Sequence, residues 1–245
     1  MARFVIEHLE PTVSPWAYLE YKHAAELVGE LLITNVKDRS EQECLQPFAE
    51  VVEFSVGELT EGERILVLDP SAVKPLSPDD FDSFEYVVIG GIMGDFPPRK
   101  RTRKLLTERL NAESRTLGSC QLSIDGAAYI AARVAEGEEL SLLEVALGVV
   151  LRGEGVEIHL PYCYPVTAGG VLFSEELAAY LLTLLEDDEA FSAVTGRARS
   201  IADYGCRLEL PKVQYEIVAG RRARLGQLMS KPFKPATREQ CDEHR

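Results

Sequence analysis

Short strands with no polar face alternate with capped helices along most of this chain, and that alternation limits its fold more than any other feature. Arg64-Ile-Leu-Val-Leu-Asp-Pro70 is apolar through its middle, so both its faces need cover, as in a parallel sheet flanked by helices. Tyr86–Ile89 has the same character, and Arg3–Glu7 and Leu31–Val36 read as further strands. Ser14-Pro15 starts a helix, with Ser as N-cap and Pro at the first helical position, that runs through Trp16, Leu19 and Leu27 to a stop at Gly29. Ser40 with Glu43 and Ser141 with Glu144 have the spacing of capping boxes. Helices are also expected after Ser77-Pro78, over Thr102–Leu110, from Ser123 to about Glu136 and from Glu175 to about Glu186, with strands at Ser114–Leu117 and Val156–Leu160. The expected class is α/β: a mainly parallel sheet with helices on both faces.

Parallel α/β sheets bind ligands beyond the carboxyl ends of their strands. Three strands here end in loops with special backbone demands: Leu68-Asp69-Pro70, Ile89-Gly90-Gly91 and Leu117–Ser123. The second continues through Ile92, Met93, Gly94 and Asp95 to Pro97-Pro98 and a basic run, Arg99-Lys-Arg-Thr-Arg-Lys104. Glycines admit a ligand to the backbone, and the prolines prevent an early helix. The spacing fits neither the phosphate loop nor the G-x-G-x-x-G dinucleotide fingerprint, so this cradle is not expected to hold a pyrophosphate.

Charge divides the chain. Residues 190–245 carry 11 Lys and Arg against 6 Asp and Glu, whereas residues 1–189 carry 15 against 34. The acidic body disfavours nucleic-acid phosphates and suits a basic partner, although the basic tail could supply phosphate contacts itself. The boundary suggests a domain over residues 1–188 and a basic extension over 189–245. Cys44, Cys120, Cys163, Cys206 and Cys241, like the four histidines, are too scattered for a metal site, and buried reduced thiols are expected. No stretch has the roughly 20 apolar residues of a membrane span, and the amino terminus reads as a strand and not a signal peptide. Cytosol or nucleus is the default, and a cytoplasmic location is the expectation.

Phe4-Val-Ile-Glu-His-Leu-Glu, Ser14-Pro-Trp-Ala-Tyr-Leu-Glu-Tyr, Leu68-Asp-Pro, Gly90-Gly-Ile-Met-Gly-Asp-Phe-Pro-Pro-Arg and Leu117-Gly-Ser-Cys-Gln-Leu-Ser-Ile-Asp resemble, in this order, one family. It is the SPOUT class of S-adenosylmethionine-dependent methyltransferases that includes a protein-arginine methyltransferase of a small-subunit ribosomal protein. Archaeal relatives are labelled RNA methyltransferases. The resemblance covers about residues 1–188 and weakens after about residue 136. It implies a C-terminal deep trefoil knot, which periodicity cannot reveal. It also implies an adenosyl cofactor bent among the three loops, lined by Leu68, Pro70, Gly90, Gly91, Ile92, Gly94, Leu117, Gly118, Gln121 and Leu122.

A guanidinium acceptor is a rigid, permanently charged fork of N–H donors, for which carboxylates are the natural partners. Asp95, in the cradle loop, is the first choice for the catalytic carboxylate and Glu7 the second, with Asp69, Asp125 and His8 as alternatives. Trp16 is either a wall of the acceptor pocket or core packing. Tyr162 could line the substrate entrance, and Arg99–Lys104 is either an RNA-facing patch or a solvated helix face. Ribosomal protein, RNA, or a particle bound by a catalytically inactive assembly factor remain the candidate partners, with a monomer favoured over a homodimer.

Overall fold

The computed structural model describes residues 2–60, 62–94 and 99–229. The amino-terminal half is β1 (Arg3–His8), α1 (Pro15–Val28), β2 (Leu31–Thr34), α2 (Arg39–Leu45), β3 (Glu50–Val51), α3 (Val56–Leu59), β4 (Ile65–Leu68), α4 (Asp80–Ser83) and β5 (Tyr86–Gly91). A π-helical turn at Arg103–Thr107 runs into α5 (Glu108–Leu110), followed by β6 (Glu113–Arg115) and α6 (Ile124–Ala135). The six strands form one sheet in the order β3-β2-β1-β5-β4-β6, and every pairing is parallel.

Alternate residues of the inner strands enter different cores. Phe4, Ile6, Ile33, Leu66, Val87 and Ile89 join the core that also buries Ala17, Tyr21 and Ala24 of α1 and Ala128 and Ala131 of α6. Val5, Leu32, Ile65, Val67 and Val88 pack with Val56 and Leu106 in another core. Burial on both faces is what the uninterrupted apolar strands demand, and each such side chain contributes about 1.5–3 kcal/mol. No helix among the described residues is long and apolar enough to cross a membrane.

A second sheet follows, and it is antiparallel. β7 (Glu144–Arg152) pairs with β8 (Glu157–Thr167), and β8 with β9 (Gly170–Val171). Ser141 and Glu144 therefore flank the entry to a strand and cap no helix. The apolar run Val145–Leu151 is held instead by cross-strand partners. α7 (Glu175–Thr183) and α8 (Leu185–Thr195) come next, followed by β10 (Glu216–Ala219), β11 (Arg222–Arg224) and α9 (Leu225–Leu228). β10 and β11 both pair antiparallel with β7, so Arg222–Arg224 of the basic extension is sheet, with Ala223 buried. The start of α2 also differs from expectation. Asp38, not Ser40, caps it by accepting from the Ser40 and Glu41 amides.

The expectation of reduced thiols is corrected at one pair: Cys44 and Cys206 form a disulfide across 162 positions of sequence. Spacing in the chain cannot announce such a pair, because its proximity is created by the fold. Glu41 reinforces the same junction, accepting from Thr12 Oγ1 at 2.6 Å, Val13 N at 2.9 Å and Ser200 Oγ at 2.5 Å. Cys120 and Cys163 are free and buried, and Cys241 lies outside the described residues.

Candidate active site

β5, β4 and β6 are neighbours in the parallel sheet, so the loops at their carboxyl ends meet. They enclose about 980 Å3, open mouth included. Leu68 and Pro70 come from the β4 loop, Gly90, Ile92 and Gly94 from β5 and its loop, and Leu117, Gly118, Gln121 and Leu122 from the segment after β6. Arg99 stands at the same pocket. The lining is apolar side chains and backbone with a few polar groups, among them Asp69, Ser119 and Gln121. That composition fits an adenosyl group, whose flat base needs apolar walls and whose edge needs backbone partners.

Gly94 gives the fit a steric basis. A Cβ there would stand 2.5 Å from Gln121 Nε2 and 2.5 Å from Tyr162 Cε1. The Tyr162 hydroxyl donates to the Gly94 carbonyl at 2.8 Å, which ties β8 to the loop. Gly91 is needed for another reason and is not among the pocket's lining residues. A Cβ there would run into the Tyr21 hydroxyl and stand 2.9 Å from the Glu7 carbonyl oxygen.

A smaller recess of about 250 Å3 adjoins this pocket. Trp16, Glu20 and Tyr162 line it, and it shares Ile92–Gly94 and Leu122–Ile124 with the larger one. Trp16 Nε1 donates to Glu20 Oε1 at 2.8 Å, and the Ile124 amide donates to Glu20 Oε2 at 3.0 Å. Glu20 is only 5% exposed. Burial, followed by the charge of Asp125, pushes its pKa up to about 8 against the lowering effect of those two donors. Asp125 pairs with His23 at 2.7 Å and accepts from the Gly126 amide. Sequence reasoning missed Glu20. Its one local signal is an acidic residue on the otherwise apolar buried face of α1, a helical turn after the sole tryptophan.

Glu7 and Asp69, also expected from sequence, act as anchors. Glu7 is 1% exposed and does not line the pocket, because its carboxylate is already engaged. Oε1 accepts from Ser55 Oγ at 2.5 Å, and Oε2 from Thr34 Oγ1 at 2.5 Å and the Val56 amide at 2.9 Å. This fastens β1 to β2 and α3. Asp69 accepts from the Ser71 amide and Thr107 Oγ1 and so braces the pocket wall. Asp95 lies outside the described residues. Within the basic run, Arg101 binds Glu10 at 3.1 Å and the Met93 carbonyl, and Arg103 pairs with Glu108. Among the described residues no group of three or more His, Cys, Asp or Glu could hold a metal ion.

A parallel α/β sheet with a backbone-lined pocket over its carboxyl edge defines a small-molecule-binding fold of the kind that group-transfer enzymes use. Residues 3–188 match the model of the family described as "Protein arginine N-methyltransferase SFM1-like", and the chain belongs to that family. Protein arginine N-methyltransferase SFM1 of Saccharomyces cerevisiae is 34% identical over 142 residues, covering 51% of this chain and 67% of the yeast protein. The crystal structure of yeast SFM1 complexed with SAM is similar at TM-score 0.63 and 25% identity, covering 72% of this chain and 88% of that one. Its complex with SAH gives TM-score 0.65 at 24% identity, covering 72% and 92%, a likeness of fold.

Proposed function

We propose that this protein is an S-adenosylmethionine-dependent methyltransferase that modifies an arginine side chain of a basic ribosomal protein. The observation that carries the reading is the joint between the two cavities: the recess between Trp16 and Tyr162 opens onto the loops that line the larger pocket. Leu68, Pro70, Gly90, Ile92, Gly94, Leu117, Gly118, Gln121 and Leu122 would hold the cofactor. When bound, it supplies a methyl carbon made electrophilic by the attached sulfonium.

This chain's own work is alignment and exclusion of water. Trp16 and Tyr162 are placed to flank a flat guanidinium, for which aromatic faces are favourable walls. The Tyr162–Gly94 hydrogen bond keeps one wall in register with the cofactor loop. Asp95, next to Gly94 in sequence, is proposed as an orienting carboxylate on sequence grounds. The trefoil threading of the SPOUT class belongs to the same proposal.

A protein acceptor is favoured over RNA because the net charge is −14 and Arg101 and Arg103 are engaged with acidic partners. A monomeric, cytoplasmic enzyme completes the proposal. The Cys44–Cys206 bridge sets a condition on that location, since persistent intracellular disulfides occur chiefly in hyperthermophiles. The test is calorimetric titration with S-adenosylmethionine, then labelling of a ribosomal fraction with its radioactive methyl group. Label that resists RNase and yields to protease is expected. The opposite pattern would favour an RNA methyltransferase, and cofactor binding with no transfer would favour an inactive assembly factor.

A further inference from the structure

We propose that Glu20 is the carboxylate that grips the acceptor guanidinium in the recess beside Trp16 and takes the proton released on methyl transfer. This rests on the protein-arginine reading above and names a group for its acceptor side.

The recess has apolar and aromatic walls and one acidic side chain, Glu20. Its two oxygens each accept one hydrogen bond from the protein, from Trp16 Nε1 and from the Ile124 amide. A carboxylate offers about four lone-pair sites, so acceptor capacity remains for an incoming fork of donors. Those two bonds also lock the rotamer, and a positioned carboxylate binds a guanidinium more selectively than a mobile one.

Asp125 on α6 faces Glu20, with His23 of α1 behind it, and the titratable surroundings also include Tyr21 of α1 and Tyr162, Cys163 and Tyr164 of β8. The Tyr164 hydroxyl is 1% exposed as a residue and has no hydrogen-bond partner among the described residues, although Glu20 and Asp125 both act on it electrostatically. Both donors to Glu20 are neutral N–H groups, so the cation in the recess is left for an arginine side chain to supply.

The step balances. A guanidinium nitrogen forms a bond to the methyl carbon while the carbon–sulfur bond breaks, its electron pair staying on sulfur. One N–H proton passes to Glu20, and the product leaves as a methylated guanidinium. Because the empty carboxyl holds its proton up to about pH 8, capture of a cation must expel that proton. Acceptor affinity should therefore rise with pH from about 6 to about 8 and then level.

The test compares N-acetylarginine amide with N-acetylcitrulline amide, which replaces the cation by a neutral urea of like shape. Both are titrated into the full chain with saturating S-adenosylhomocysteine. The wild type should prefer the arginine probe by about tenfold or more. Glu20→Gln should reduce the preference to less than about twofold while keeping S-adenosylhomocysteine affinity. Glu26→Gln, the same exchange at an exposed position of α1 outside the recess, should keep the preference and controls for any general effect of removing a carboxylate. A preference that survives Glu20→Gln overturns the proposal, as does its loss in Glu26→Gln or a Glu20→Gln protein that no longer binds S-adenosylhomocysteine. A wild type that binds neither probe overturns the arginine reading itself.

Discussion

The indole N–H of Trp16 donates to the Glu20 carboxylate at 2.8 Å, one turn along α1, so the chain's only tryptophan reports directly on that buried acid. Trp16 emission should titrate with a midpoint near pH 8, as Glu20 ionises. Glu20→Gln should abolish the transition. Stability follows from the same shift. The folded carboxyl keeps its proton up to about pH 8, whereas in the unfolded chain it ionises near its ordinary value of 4.5. Between these limits the folded state binds the extra proton, so this group makes stability fall as pH rises through the window. Urea melts at pH 6 and pH 8 check the sign, since the drop should be smaller in Glu20→Gln.

Gly94 separates site geometry from stability. Gly94→Ala pushes a methyl group toward Gln121 and the Tyr162 ring. Calorimetry should find S-adenosylmethionine affinity lowered by about tenfold, while stability changes by less than about 1 kcal/mol. Unchanged affinity would mean that the loop yields freely and that the cradle is less rigid than its contacts suggest.

Glu7→Gln distinguishes an anchor from a catalyst. The substitution leaves Ser55, Thr34 and the Val56 amide facing a poorer acceptor. A loss of about 2–4 kcal/mol in stability is expected. Cofactor affinity and turnover of the folded fraction should be unaltered, and a specific loss of turnover would return Glu7 to the active site.

Cys206→Ser tests the junction between α2 and the segment after α8. Removing a link across 162 residues should cost about 2–4 kcal/mol, read as a lower denaturant midpoint, and a reducing agent should shift the wild type in the same direction. Glu41 would still hold Thr12, Val13 and Ser200, so the segment should remain docked.

The parallel sheet was legible because strands such as Ile65–Leu68 have no polar face and admit only double cover. The three pocket loops were legible because each follows a strand and makes special backbone demands, whereas the adjacency of β4, β5 and β6 that brings them together belongs to the fold. What escaped was whatever depends on distant partners. Glu20 is buried because α1 packs on α6 and the Ile124 amide, 104 positions away, reaches it. Glu7 looks like an exposed strand end until Ser55 and Val56 close over it. The Val145–Leu151 run carries no mark of its antiparallel partners, and Ser141 with Glu144 imitated a helix start.

Chain order gives the Tyr162–Gly94 hydrogen bond a temporal meaning. All three pocket loops and the Glu20–Ile124 contact are complete by residue 124, whereas Tyr162 and the strands that flank β7 are translated later. A nascent chain can therefore assemble its parallel sheet, most of the cofactor-side wall and the Trp16–Glu20 side of the recess before the Tyr162 side exists. Competence to position a substrate waits for the second sheet, and a polypeptide released early would carry a pocket with no opposing wall.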